Sequence, residues 1–145
     1  MLPFCIKSSS PEETRKIGQK TASLLHKGGV LALEGDLGAG KTCLIKGIGL
    51  GLRVEEEITS PSYAVVSEYK AELEGESLPF YHIDAYRLNG AEDFAALGGE
   101  EYLYGKGITV IEWSERIAES LPDYALTIHI EITGENSREI HISNR

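Results

Sequence analysis

Cysteine is scarce in this 145-residue chain: only Cys5 and Cys43, with no CxxC pair and no regular spacing. That excludes a disulfide framework, speaks against a structural metal, and suits a reducing, cytoplasmic setting, although two cysteines suffice for one bridge. Long apolar runs are missing too. None approaches the roughly eighteen residues a membrane span needs. The opening "MLPFCIK" lacks a basic segment followed by an apolar core, so no signal peptide is expected. Repeats, low-complexity tracts and linkers are absent. With 41% apolar and 26% charged residues, the composition is that of a single globular domain spanning residues 1–145.

Positive charge is in short supply, and unevenly placed. Residues 1–53 carry eight Lys/Arg against four Asp/Glu; residues 54–145 carry six against nineteen, for a net charge of −9. An acidic protein grips nucleic acid poorly, because phosphate neutralisation needs a basic surface. Any action on RNA would therefore pass through a partner.

The pattern that is present alternates helix and strand. "SSSPEETRKIGQKTASLLHKGG" predicts an amphipathic helix, with Ser10 as cap, Pro11 in the first turn, Glu13 completing a capping box, and Ile17, Thr21, Leu24 and Leu25 on one face. Gly28 and Gly29 end it. A short buried strand, Val30 to Leu33, leads through a glycine loop to a second helix from Lys41 to about Gly51. "YAVVSEY" and "LPFYHIDAYR" predict a strand pair around the acidic turn "KAELEGES". "NGAEDFAALGGEEYL" suggests short helical pieces, "GITVIEW" a central strand, and "SERIAES" a short helix. The tail predicts an antiparallel hairpin around "TGEN". The expected fold is α/β: a three-layer, P-loop NTPase-type arrangement with a mixed parallel and antiparallel sheet and a C-terminal β-hairpin.

Gly35-Asp36-Leu37-Gly38-Ala39-Gly40-Lys41-Thr42 matches G-x-x-x-x-G-K-[ST] in full, the Walker A phosphate loop. Its glycines let main-chain N–H groups turn inward on anionic oxygens, and the following helix adds its positive end. Lys41 suits the β- and γ-phosphates, and the Thr42 hydroxyl suits Mg²⁺. Such a loop also needs an acid at a neighbouring strand end. "FYHID" offers Asp84 and "ITVIE" offers Glu112; the second strand reads as more central, but spacing does not decide between them. His82 alternates with Asp84, bordering the site or serving the structure. The four histidines show no metal spacing. Trp113, the only tryptophan, suits stacking on adenine and equally suits a core. Cys43 reads as a small side chain in the helix. Thr59 and Ser60 sit in a polar connection that forms a turn or a γ-phosphate-sensing loop.

In this order and within this length, "GDLGAGKT", "TSPSY", "HIDAYRL" and "IEW" resemble the TsaE (YjeE) family, small bacterial ATPases that support threonylcarbamoyladenosine synthesis beside the tRNA anticodon, at position 37. The resemblance runs from the first helix through "EWSERI". It implies ATP and Mg²⁺ as ligands, with Asp36 to Thr42 on the nucleotide, Thr42 and Glu112 on the metal, and Asp84 as the second acid of hydrolysis. It further implies a switch-like loop at Thr59 and Ser60, and nucleotide proximity for Ser10. Gly35, Cys43 and Trp113 complete the candidate nucleotide-binding set; Lys41, Asp84 and Glu112 form the catalytic one. Implied partners are TsaB-like and TsaD-like proteins, which would hold the tRNA. Cys43 stands where the family often has Thr, and Ser62 where it often has a second Thr.

Three other readings compete. A small-molecule kinase of the same loop class would carry an arginine-bearing lid, but the six arginines are scattered. A GTPase would carry Asn-Lys-x-Asp, which is missing. A non-catalytic binding module leaves the Lys-Thr pair and two acids without a task. Arg87 is the only arginine beside the motifs, so hydrolysis by the isolated chain is expected to be weak.

Overall fold

The computed structural model describes residues 3–36, 38–59 and 65–145. Its strands are β1 (Phe4–Ser8), β2 (Val30–Gly35), β3 (Val66–Leu73), β4 (Glu76–Asp84), β5 (Ile108–Glu112), β6 (Leu126–Ile132) and β7 (Arg138–Asn144). Its α-helices are α1 (Pro11–Thr21), α2 (Lys41–Gly51), α3 (Ala91–Ala96) and α4 (Gly99–Leu103). Two 3-10 segments, Ala22–Leu24 and Ser114–Ser120, extend α1 and follow β5. Among these residues no helix is long and apolar enough to cross a membrane.

The strands form one mixed sheet in the order β1-β7-β6-β2-β5-β4-β3. Its centre is parallel: β2 pairs with both β5 and β6, and β5 with β4. Its margins are antiparallel, β3 on β4 at one side and β1 on β7 on β6 at the other. Every residue of β5 is buried, as the continuous apolar run "GITVI" requires of a strand covered on both faces. Leu31, Leu33, Ile128, Ile130, Ile140 and Ile142 face the layer of α1 and α2, whereas Ile83, Ile111, Phe94, Leu103 and Ile117 pack on the opposite face.

Local chemistry explains the helix bounds. Ser10 accepts the Glu13 N–H at 3.1 Å and Pro11 fills the first turn, both as predicted. Glu13 reaches back one residue further than a capping box would, to the Ser9 N–H at 3.3 Å and the Ser9 hydroxyl. The α-helix also stops earlier than the pattern suggests and tightens into 3-10 geometry at Ala22, so Leu24 is half-buried while Leu25, beyond the turn, is buried. α1 and α2 touch through their backbones. A Cβ on Gly18 would lie 2.2 Å from Leu44 O, and one on Gly47 2.0 Å from Arg15 O.

Two expectations need correction, and one strand goes beyond them. "KAELEGES" is mostly strand: Lys70–Leu73 continue β3, and only Glu74 and Gly75, both left-handed at φ 52° and 80°, make the turn. Alternation beats acidity there, because Ala71 is buried between exposed Lys70 and Glu72. β4 ends at Asp84, leaving "AYR" outside it. The N-terminal segment forms β1, an edge strand that its short, proline-preceded sequence does not announce. The start of "YAVVSEY" at Tyr63 and Ala64 lies outside the described residues, as do Ser60 and Leu37.

Candidate functional site

β2 ends at Gly35, and the loop that follows delivers the chain to α2 in five residues. Gly40 occupies the N-cap of α2 with φ 99° and ψ 21°, and Gly38 has φ 81°. A Cβ on Gly38 would meet nothing within 4 Å, so the backbone conformation, not crowding, calls for glycine; a side chain there costs about 1–2 kcal/mol. The Ala39 N–H bonds Asp36 O at 3.0 Å and the Leu44 N–H bonds Gly40 O at 3.1 Å, which fixes the loop on the head of the helix. This places the main-chain N–H groups of the helix head and its positive end at the carboxyl edge of the parallel strands, the usual ligand crevice of open α/β sheets.

Lys41 is only 5% exposed. Its ammonium donates to Gly35 O at 2.5 Å and lies 3.6 Å from the centroid of the Trp113 ring. Burial pushes its pKa down from the ordinary lysine value, and the nearby carboxylates of Glu112, Glu115, Asp84 and Asp36 oppose that shift. Trp113 holds a left-handed backbone at φ 57°, which for a bulky residue costs on the order of 1–3 kcal/mol. The turn ends β5 abruptly and brings the indole over Lys41 directly after Glu112. Tyr86 packs on the indole with ring centroids 4.9 Å apart, and Arg116 lies 5.1 Å over Tyr86. The Ser114 hydroxyl donates to Leu33 O at 3.1 Å and anchors this wall to β2.

The two predicted acids are direct neighbours, Asp84 paired with Glu112 in the β4–β5 register. Their environments differ. Asp84 is half-buried and accepts the Tyr86 N–H at 3.0 Å. Glu112 is 5% exposed, and its Oε2 lies 2.6 Å from Nε2 of the fully buried His82. The two atoms share one hydrogen bond, whose donor is set by the imidazole tautomer. His82 Nδ1 is buried and has no partner among the described residues. His82 therefore holds Glu112 in place, and the structural and site-bordering readings of that histidine merge.

The other candidates divide. Ser10, Gly40 and Cys43 line one cavity of about 60 Å³ together with Thr14, Asn136 and Arg138, so Ser10 and Cys43 do reach the loop. Thr42 follows Lys41 in the first turn of α2. Thr59 instead bonds the Tyr69 hydroxyl on β3, through its N–H at 3.3 Å and its carbonyl at 3.4 Å. Ser60 and Leu37 lie outside the described residues.

Arg138 is the residue that sequence reasoning missed. From the start of β7 its Nε donates to Ala39 O at 2.9 Å and its Nη2 to Gly38 O at 3.2 Å. Its Nη1 donates to Gly134 O at 3.0 Å and Ser137 O at 2.8 Å. One guanidinium thus ties the phosphate loop to the β6–β7 turn. Nothing local marks it, since about a hundred residues separate it from its partners. Arg116, three residues past "IEW", is a second arginine beside the motifs and lies over Tyr86, so Arg87 is not the only one.

Comparison with known proteins points to one family. The family model for "Threonylcarbamoyl adenosine biosynthesis protein TsaE" matches residues 8–140. The chain is 43% identical over 136 residues to the tRNA threonylcarbamoyladenosine biosynthesis protein TsaE of Treponema pallidum (strain Nichols), covering 94% of this chain and 97% of the relative. It is 41% identical over 131 residues to the protein of the same name from Bacillus subtilis (strain 168), covering 90% and 79%. Its fold is similar to the crystal structure of Bacillus subtilis YdiB, with a TM-score of 0.79 at 38% identity, over 99% of this chain and 86% of that one.

Proposed function

Because the chain belongs to the TsaE family of tRNA threonylcarbamoyladenosine biosynthesis proteins, we propose that it serves that modification as a Mg²⁺-dependent ATPase whose nucleotide state switches a larger assembly with TsaB-like and TsaD-like partners. The observation that carries the reading is the convergence on one crevice of the glycine loop, the buried Lys41 ammonium, and the adjoining carboxylates of Glu112 and Asp84.

The donor set fits the magnesium complex of a triphosphate. Main-chain N–H groups and the head of α2 suit phosphate oxygens, while the Glu112 carboxylate and the Thr42 hydroxyl are hard oxygen ligands of the kind Mg²⁺ takes. Thr42 and Glu112 would hold the ion, which would supply positive charge against the negative charge that develops on the phosphates during hydrolysis. Lys41 exchanges Gly35 O and the indole face for phosphate. Asp84, the more exposed acid, orients the attacking water and accepts its proton. His82 keeps the Glu112 carboxylate aimed at the metal position. Trp113 and Tyr86 wall the crevice and limit water. Thr59, which bonds the Tyr69 hydroxyl, begins the connection that would sense the γ-phosphate and its loss. A net charge of −9 leaves contact with the tRNA to the partners.

Two substitutions test this reading. Lys41→Ala should weaken ATP binding roughly tenfold to a hundredfold, the loss of a hydrogen bond to a charged group. Glu112→Ala should keep much of the affinity while lowering turnover by about a hundredfold or more. Calorimetry with Mg²⁺ and a phosphate-release assay, with and without the partner proteins, separate the two effects. Equal hydrolysis by the parent and the Glu112 variant refutes the assignment, and a rate unmoved by the partners refutes their role in activation.

A further inference from the structure

The sheet face turned away from α1 and α2 is open over β1, β7 and β6, and it sets a cysteine and two histidines among its carboxylates. Register sets Cys5 opposite His141, His141 opposite His129, and His129 opposite Glu34, one rank across four strands. The next rank holds Lys7, Glu139 and Glu131. The Cys5 Sγ lies 3.4 Å from Glu139 Oε1, which lies 3.0 Å from His141 Nε2; Glu131 Oε2 is 3.9 Å from the same nitrogen.

We propose that Cys5, Glu139 and His141 bind one divalent transition-metal ion of the zinc class. The three donor atoms all lie within 4.8 Å of one another. Zinc bonds of about 2.0–2.3 Å in tetrahedral geometry separate neighbouring ligand atoms by roughly 3.3–3.7 Å. The observed 3.4 and 3.0 Å need only small rotamer adjustments to reach that spacing. A thiolate, an imidazole and a carboxylate form a borderline-soft set that favours zinc-like ions over Mg²⁺. The ligands stand on two strands already paired in register, so little ordering is needed on binding. Glu139 and Glu131 lower the local potential, and the ion displaces the Cys5 thiol proton to solvent. His129 stacks beside His141 at 6.3 Å between ring centroids, and its Nδ1 lies 3.4 Å from Glu34 Oε1, which makes it the next donor outward. Spacing along the chain hides the cluster, since 134 residues separate Cys5 from Glu139.

Occupancy would clamp β1 to β7. β1 runs into the cap of α1, and β7 carries Arg138, next to Glu139, on the phosphate-loop carbonyls. The site stands independently of nucleotide chemistry, and its test uses no nucleotide. The full chain, stripped with a chelator, is titrated with ZnCl₂ alone by calorimetry and with CoCl₂ by absorption. One ion per chain is expected, with a near-ultraviolet thiolate-to-cobalt band. Cys5→Ser should abolish the band, and Cys5→Ser and His141→Gln should each weaken zinc binding roughly tenfold or more; Cys43→Ser should change neither. No uptake, affinity unmoved by both ligand variants, a band that survives in Cys5→Ser, or half an ion per chain with dimer formation overturns the proposal.

Discussion

Glu112 and His82 form the pair on which the site's order depends at the scale of single residues. Removing the imidazole leaves a carboxylate that is 5% exposed without its 2.6 Å partner. His82→Ala should therefore cost about 1–3 kcal/mol in denaturant unfolding and depress hydrolysis more than ATP affinity, a split that cavity formation alone would not produce. Lys41 gives a pH signature. Its pKa is depressed in the fold below the ordinary 10.5, so between the lowered value and 10.5 the unfolded chain binds more protons and stability rises with pH. The parent should gain on a Lys41→Met variant as pH climbs through that window, as read by parallel urea titrations. The Gly35–Thr42 loop and both acids were legible in the sequence, because their chemistry is coded in contiguous residues. The partner of Glu112 was not: His82 meets it through parallel β4–β5 register, thirty residues away.

At the scale of elements, the site is a junction of five of them. β2 supplies the loop, α2 its positive end, β4 and β5 the acids, and β7 the arginine that fastens the loop from outside. Arg138→Ala removes donors to four or more carbonyls at once. It should destabilise by about 1.5–3 kcal/mol and also weaken nucleotide binding. Arg138→Lys should rescue little, because an ammonium cannot span the fork. Differential unfolding with and without Mg²⁺-ATP checks both statements. Helix α2 was readable from its start, and strand β5 to within one residue at either end of "GITVIEW", since a glycine cap and a near-continuous apolar run are strong local signals. β1 was not readable, because an edge strand with alternating half-buried residues owes its existence to β7, at the other end of the chain.

At the scale of the whole molecule, the sheet order was out of reach of local patterns. Chain order places β2 second, yet it lies between β5 and β6, and that insertion sets Asp84 and Glu112 beside the phosphate loop. The charge was legible, and it has a consequence. With nineteen acidic residues against six basic ones after residue 53, the isolated protein should show no tRNA binding at physiological salt, and retention should appear only when the partner proteins are added. A gel-shift series in rising salt tests this; salt-sensitive binding by the protein alone would contradict it.

The glycine contacts between α1 and α2 leave no lubricating layer of side chains. Main chain rests on main chain at Gly18 and Gly47, and two rods seated that closely can neither slip nor roll. A displacement at the head of the second rod should therefore be passed to the first, whose far side carries Glu12, Arg15, Lys16, Gln19 and Lys20, a strip of mixed charge that faces outward for a neighbour to feel.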